Sequence, residues 1–341
     1  MIDVLAVVVL MAVVAWAGVK LVRDHAPRMG LMSVPNQRTS HLRPTPHSGG
    51  LGVVLAGGLS GAWLALSAGW TAGWSVLALS LVGASTGLWD DFRPLSPTPR
   101  LLVLFAICSG VLLLVGELPR LELPYGLAVD GWALLLLALL AGMWWINLFN
   151  FMDGTDGIAG AQAVFMLLAA AGMAAWAQPE VTAEPAWIWM LCLAAASLGF
   201  LAHNWPPARV FMGDVGSTYL GFMIFAFATL SIQMEWIAYS TWLILAAVFV
   251  ADGSVTLARR ILRGERFLEA HRSHAYQRLS RRWRSHERVA VLVLLINSFW
   301  LSPLALAAQA YPQYEWPIAA IAYVSLFAGV LAAGAGLPDD A

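Results

Sequence analysis

The chain has 341 residues, 60% of them hydrophobic and only 11% charged, and its mean hydropathy is +0.73. Charges at less than half their usual share of about 25% cannot cover a soluble surface of this size, and the same composition excludes disordered, collagen-like and disulfide-scaffold classes. What remains is a polytopic membrane protein, in which 19 basic against 20 acidic residues say little as a sum and much by position.

A bilayer-crossing helix takes about 20 largely apolar residues. Runs of that kind recur near 2–22, 50–70, 72–89, 101–117, 132–149, 158–177, 187–203, 217–234, 236–256, 289–310 and 316–336. They are continuous rather than alternating, so eleven helices are expected and not a barrel. The first run lacks a basic leader and a clear cleavage site, which makes it a retained first helix. Cys108 and Cys192 fall inside separate apolar runs and read as packed thiols, and no Cys/His group has zinc spacing.

Eleven spans alternate sides. One side receives the loops at 23–49, 90–100, 150–157, 204–216 and 257–288 and the C-terminal tail. With Lys20 counted in the first loop, that side carries eighteen of the 19 basic residues, and only Arg120 lies opposite. The positive-inside rule makes the basic side cytoplasmic, with the N-terminus outside and the C-terminus inside. All seven histidines fall on this side as well. No inverted repeat of the transporter kind is visible, so residues 1–341 read as one transmembrane domain with its chemistry at the cytoplasmic face.

Acidic residues gather there at helix ends. Asp90 and Asp91 close the third run, Asp153 and Asp156 lie between the fifth and sixth, Asp214 opens the eighth, and Asp252 lies near the end of the ninth. Carboxylates at membrane depth are costly and mark function. Asn147, Asn150, Asp153 and Asp156 recur every three residues, a spacing that shares one face of a helical turn, and Gly154 and Gly157 allow close backbone approach. Oxygen ligands beside open amides suit Mg²⁺ on a pyrophosphate, since Mg²⁺ takes one or two carboxylates, waters and substrate phosphates. The structural alternative for a lone Asp is capping, as Asp214 would do for the eighth span. The basic counterpart is 259–288, with ten arginines and the run His271-Arg272-Ser273-His274-Ala275-Tyr276-Gln277-Arg278. Arginine forks match phosphate oxygens, while a purely topogenic loop that meets anionic lipid needs neither histidine. Together these features point to phosphoryl chemistry between a nucleotide-linked substrate and a lipid.

The asparagine–aspartate segment, the Asp90-Asp91 pair, Phe211-Met212-Gly213-Asp214-Val215-Gly216-Ser217 and the stretch from Pro35-Asn36 through Arg43-Pro44-Thr45-Pro46 to Gly49-Gly50 resemble the polyprenyl-phosphate N-acetylhexosamine-1-phosphate transferases, the glycosyltransferase 4 family, over nearly the whole chain. The run from His271 to Gln277 is most like the branch that initiates O-antigen and related surface polysaccharides. The peptidoglycan-lipid branch carries three adjacent histidines there, whereas here Arg272 and Ser273 separate two.

The resemblance implies transfer of N-acetylhexosamine 1-phosphate from a UDP-sugar to undecaprenyl phosphate, giving undecaprenyl-diphosphate-sugar and UMP. Mg²⁺ is the implied cofactor, with Mn²⁺ as its substitute, at the bacterial inner membrane. It implies Asp214 and Asp153 as metal ligands and Asp90, Asp91, Asp153 and His274 as catalytic groups. Asn150, Asp156, Asn204, Phe211, His271, Arg272 and Arg43 are the implied substrate contacts, with Phe211 stacking on the uracil. Related enzymes carry a lysine shortly after the aspartate pair, where this chain offers Arg93 and Arg100. The resemblance is compatible with a homodimer and implies no nucleic-acid partner. Direct attack by the lipid phosphate and a covalent aspartyl intermediate use the same residues, and direct attack is the simpler expectation. The rival classes are a transporter, which would place charge near mid-membrane, a membrane phosphatase, and the peptidoglycan-lipid transferase. The sugar among UDP-GlcNAc, UDP-GalNAc, UDP-FucNAc and UDP-QuiNAc is not written in the motifs.

Overall fold

A computed structural model describes residues 4–33, 44–265 and 272–338. Arg43 and His271, both expected at the site, lie outside the described residues. Among those described, eleven helices are long and apolar enough to cross a membrane: α1 (Val4–Met29), α2 (Gly50–Ser67), α3 (Thr71–Phe92), α4 (Pro97–Val115), α5 (Gly131–Met152), α6 (Ile158–Ala177), α7 (Pro185–Asn204), α8 (Gly213–Gln233), α9 (Tyr239–Leu262), a tenth span with a π-turn at its middle, and an eleventh that contains α13. The tenth comprises α11 (His286–Ile296), a π-turn at Asn297–Leu301 and α12 (Ser302–Ala310), and α13 covers Glu315–Ala332. The protein is an all-helical, multi-pass integral membrane protein. Two two-residue hairpins are its only described strands, β1 (Met32–Ser33) with β2 (Thr45–Pro46) and β3 (Leu121–Glu122) with β4 (Ala128–Val129).

Each apolar run expected from the sequence matches one span, and the differences lie at the ends. Helix α5 runs on through Asn150 to Met152, and α9 continues past Asp252 to Leu262. The segment expected as a cytoplasmic loop, 257–288, therefore begins as helix, and it also contains α10 (Ala275–Trp283). Hydropathy marks the bilayer-length part of a helix, but backbone hydrogen bonding carries the helix on into water.

Helix α8 is the centre of the bundle, buried on almost every side and packed by α2, α3, α4 and α5. Small residues allow that approach: a Cβ on Gly87 of α3 would collide with the Asp214 carbonyl at the start of α8. In lipid, interhelical contact rests on close packing and polar bonds rather than on hydrophobic transfer. The indole of Trp145 donates to the Gly221 carbonyl at 3.0 Å and that of Trp189 to Gly57 at 2.8 Å. Deeper still, Asn297 donates to Gln162 Oε1 at 2.7 Å and Gln162 donates to the Leu245 carbonyl at 3.0 Å, joining the π-turn, α6 and α9. Because α8 is locked in place, its first turn has a fixed position, and the site is built on that turn.

Candidate active site

Five segments meet at one end of the bundle around a cavity of about 450 Å³. Ser33 and His47 come from the first loop, Asp90 and Asp91 from the end of α3, Asn150 to Asp156 from the end of α5, Asn204 and Phe211 to Asp214 from the α7–α8 connection, and Gln277 and His286 from α10 and α11. These are the five loops expected to hold the chemistry.

The two aspartates of the α3 end have different tasks. Asp91 accepts the backbone N–H of Asp214 at 2.8 Å and of Val215 at 3.4 Å, and the Ser48 hydroxyl donates to it at 2.7 Å. It therefore caps α8 from a different helix and satisfies amides that a helix start leaves open. Asp214, expected as a candidate cap, is freed from that task. Gly213 makes the turn possible with φ +76°. His47 Nδ1 lies 2.7 Å from Ser48 Oγ and 3.9 Å from Asp91. Burial holds the His47 pKa below its ordinary value, and the Asp91 charge opposes that shift.

Asp90 faces a cation. Arg100 at the start of α4 reaches it at 3.1 Å, approaches Asp214 at 4.0 Å and donates to Asn150 Oδ1 at 3.5 Å. The backbone N–H of Leu95 also donates to Asp90. Of the two cations weighed in the sequence, Arg100 occupies the site and Arg93 is exposed. Asn150 completes the group, donating to Asp214 Oδ1 and to Ser217 Oγ at 2.8 Å each. Asn147, one turn earlier, donates to its own helix at Met143.

Asp153 follows the last turn of α5. Burial is the largest cause of its strongly raised pKa, and the carboxylates of Asp214, Asp91 and Asp156 add to it. An acidic group arranged this way has strong electrostatic reason to take up a cation. Among the described residues, no three carboxylate, imidazole or thiol groups converge closely enough to enclose a metal by themselves.

The far end of the cleft is held by backbone contacts. Asp156 accepts the Ala208 N–H at 3.0 Å and lies 3.1 Å from His286 Nδ1. Asn204 accepts from the Gly157 N–H and donates to the Val210 carbonyl, at 2.9 Å each. Its amide thus ties two loops together, and its side chain also lines the cleft. Phe211 lines it too, fixed through its N–H to the Pro46 carbonyl.

The arginine–histidine run is arranged differently from the expectation. His274 is 3% exposed, its Nδ1 lies 3.3 Å from Asp252, and its ring stacks on Tyr276. Asp252 also accepts the Ala275 and Tyr276 amides at 2.8 and 3.0 Å, so the pair anchors the start of α10. The Tyr276 hydroxyl donates to the Phe151 carbonyl at 2.9 Å, and burial, ahead of the Asp252 charge, raises its pKa well above the phenolic range. Through this chain of contacts α10 braces the Asp153 loop and presents Gln277 to the cleft. Arg272 is half-buried. Sequence reasoning weighed Arg100 only as one of two cations near the aspartate pair, and did not single out Ser48 or His286 as site residues.

Two further cavities lie beside α3 and α4, the first adjoining the cleft and the second adjoining the first. One, between α3, α4 and α5, shares Asp90 and Asn150 with it and adds Arg100, Thr86 and Val103. The other shares Thr86 and Val103 and is lined by Leu81, Val82 and Trp89 on the outer face of α3 and α4. Residues shared between neighbouring cavities thus run from the acidic centre past Arg100 to the apolar outer face of α3 and α4.

The sequence model of glycosyl transferase family 4 matches residues 73–232, which takes in Asp90, Asp153 and Asp214. A decaprenyl-phosphate N-acetylglucosaminephosphotransferase of Mycobacterium tuberculosis (strain ATCC 25618 / H37Rv) is 29% identical over 325 residues, covering 87% of this chain and 80% of that protein. A probable undecaprenyl-phosphate N-acetylglucosaminyl 1-phosphate transferase of Bacillus subtilis (strain 168) is 28% identical over 293 residues, with 83% and 78% covered. A phospho-N-acetylmuramoyl-pentapeptide-transferase of Synechococcus elongatus is 30% identical over 298 residues, with 77% of each chain covered. Eleven spans, an acidic cleft built at the ends of membrane-length helices, and similarity across most of the chain lead to one conclusion: the protein belongs to glycosyl transferase family 4, the polyprenyl-phosphate N-acetylhexosamine-1-phosphate transferases.

Proposed function

We propose that the protein transfers N-acetylhexosamine 1-phosphate from a UDP-sugar to undecaprenyl phosphate, at the cytoplasmic face of a bacterial inner membrane, as the first step of O-antigen or other surface-polysaccharide synthesis. The observation that carries this reading is the position of Asp90, Arg100 and Asn150. They sit where an aqueous acidic cleft joins a pocket between membrane helices, which is where an amphiphilic phosphate and a water-soluble nucleotide have to meet.

In this reading the guanidinium of Arg100 receives the lipid phosphate and Asp90 orients it. A phosphate oxygen attacks the β-phosphorus of the UDP-sugar, the bond from that phosphorus to the bridging oxygen breaks, and UMP leaves with the electron pair. The aspartates support direct attack over an aspartyl intermediate. Asp91 is committed to two amides and a hydroxyl, and Asp90 is committed to Arg100, so neither is a free nucleophile. Asp214 and Asp153, with Asn150 orienting Asp214, would hold Mg²⁺, with Mn²⁺ as its substitute. When bound, the ion neutralises charge on the diphosphate. Asp156 and Phe211 form the uridine end.

The names of the relatives support an N-acetylglucosamine-type donor, and the two separated histidines favour the polysaccharide branch over the pentapeptide one. The test is a panel of radiolabelled UDP-GlcNAc, UDP-GalNAc, UDP-FucNAc and UDP-QuiNAc offered to the purified protein with undecaprenyl phosphate and Mg²⁺. One donor should carry label into the lipid extract. Failure of all four to do so would refute the assignment.

A further inference from the structure

His286 opens α11, and its side chain lines the cleft. Its Nδ1 lies 3.1 Å from Asp156 Oδ1 and 3.5 Å from the Asp156 backbone N. Asp156 is held from its other oxygen by the Ala208 N–H at 3.0 Å, and the start of α11 is held by Ser285, whose hydroxyl accepts the Arg288 N–H at 3.2 Å. The imidazole is therefore fixed from two sides, with one nitrogen engaged. An imidazole whose Nδ1 is engaged this way has a defined orientation and one remaining hydrogen-bonding edge, Nε2.

The cleft has two distinguishable ends. Asp90 and Asn150 are shared with the small pocket between α3, α4 and α5, whereas Asp156, His286, Asn204 and Phe211 are not. On the transferase reading the lipid acceptor takes the first end, beside Arg100, which leaves the second to the soluble donor. The same α7–α8 connection that presents Phe211 also supplies the Ala208 amide that fixes Asp156 and, through it, His286.

We infer that His286 is a nucleotide-contacting residue, which reads the uridylyl half of the donor through Nε2 while Asp156 holds Nδ1. The inference rests on the transferase reading above. It gives α11 a part in donor recognition.

The alternative is a mere clamp between α11 and the Asp156 loop, and two substitutions separate them. Asparagine at this position places an amide near the Nδ1 position and keeps a partner for Asp156, but nothing reaches the Nε2 position. Alanine removes both. The measurement is UMP affinity by calorimetry on the purified full-length protein in detergent with Mg²⁺, alongside thermal melting. His286→Asn should weaken UMP binding about tenfold, which equals one well-placed hydrogen bond of about 1.4 kcal/mol. Its melting temperature and its KM for undecaprenyl phosphate should stay at wild-type values. His286→Ala should lose at least as much affinity and also melt earlier. If His286→Asn binds UMP as the wild type does, or if its loss of affinity comes with a matching loss of thermal stability, His286 is a clamp and the inference fails while the transferase reading stands. A wild-type protein that binds no UMP would overturn both.

Discussion

The Asp91 carboxylate receives the backbone N–H of Asp214 at 2.8 Å across 123 residues of sequence. One acidic residue of the site thus holds the helix that presents another. Asp91 and its neighbour Asp90 should therefore fail differently. Asp91→Ala should lower thermal stability by about 1–2 kcal/mol, the worth of a helix cap, and reduce turnover by displacing Asp214. Asp90→Asn should melt as the wild type does and lose activity at least tenfold. Melting curves read beside turnover check this pair, and equal melting of the two variants would contradict the division of labour.

Arg100 touches Asp90, Asn150 and Asp214 from one guanidinium. A lysine keeps the charge and loses the fork. Arg100→Lys should reduce kcat/KM for undecaprenyl phosphate about tenfold and leave UMP affinity near wild type. Arg93→Lys, at an exposed neighbour, should be silent. Steady-state kinetics at varied lipid phosphate separates the two.

Asp153 gives a stability effect of opposite sign. Its folded pKa is raised, chiefly by burial and then by neighbouring carboxylates, so ionising it at neutral pH works against the fold. Asp153→Asn should raise the melting temperature in chelator, abolish the stabilisation that added Mg²⁺ gives the wild type, and remove activity. Thermal melts with and without Mg²⁺ measure this. A variant that melts earlier in chelator would show that the carboxylate is structurally compensated.

His274 and Asp252 form one buried unit beneath α10. Substituting either by alanine should destabilise the protein, and the double variant should cost less than the two effects added together. The coupling should be about 1 kcal/mol, in the range found for residues that share a hydrogen-bond network. Additive losses in melts of the four proteins would show the two residues acting independently.

The eleven spans were legible because the bilayer imposes a length and a composition, and the five converging loops because positive charge sorts to one side. Asp90, Asp153, Asp156 and Asp214 were legible because a carboxylate at membrane depth is costly unless it has a task. What could not be read was how the carboxylates divide that task. Asp91 and Asp90 are adjacent and alike in sequence, and only the packing of α3 on α8 turns one toward backbone and the other toward Arg100. His274 is a catalytic group by the resemblance of its motif, whereas the structure buries it against Asp252. Its partner Asp252 is 22 residues away, on a helix that runs further than hydropathy indicates. His286 lies beyond the motif run, among arginines with no acidic partner nearby in sequence except Glu287, and its relation to Asp156 spans 130 residues. Local pattern reports the cost of a residue's environment. Its partner is set by tertiary contacts that no local pattern carries.

The central claim is transfer of a phospho-sugar between a nucleotide and a lipid at the Asp90–Asp153–Asp214 cleft. The most direct measurement follows the β-phosphate: the purified protein is given the preferred UDP-sugar labelled at that phosphorus, with and without undecaprenyl phosphate. The account predicts label in the lipid fraction, one UMP released for each lipid product, no release without the lipid phosphate, and loss of both signals in Asp214→Asn. Label appearing as inorganic phosphate, or UMP released equally without acceptor, would contradict it.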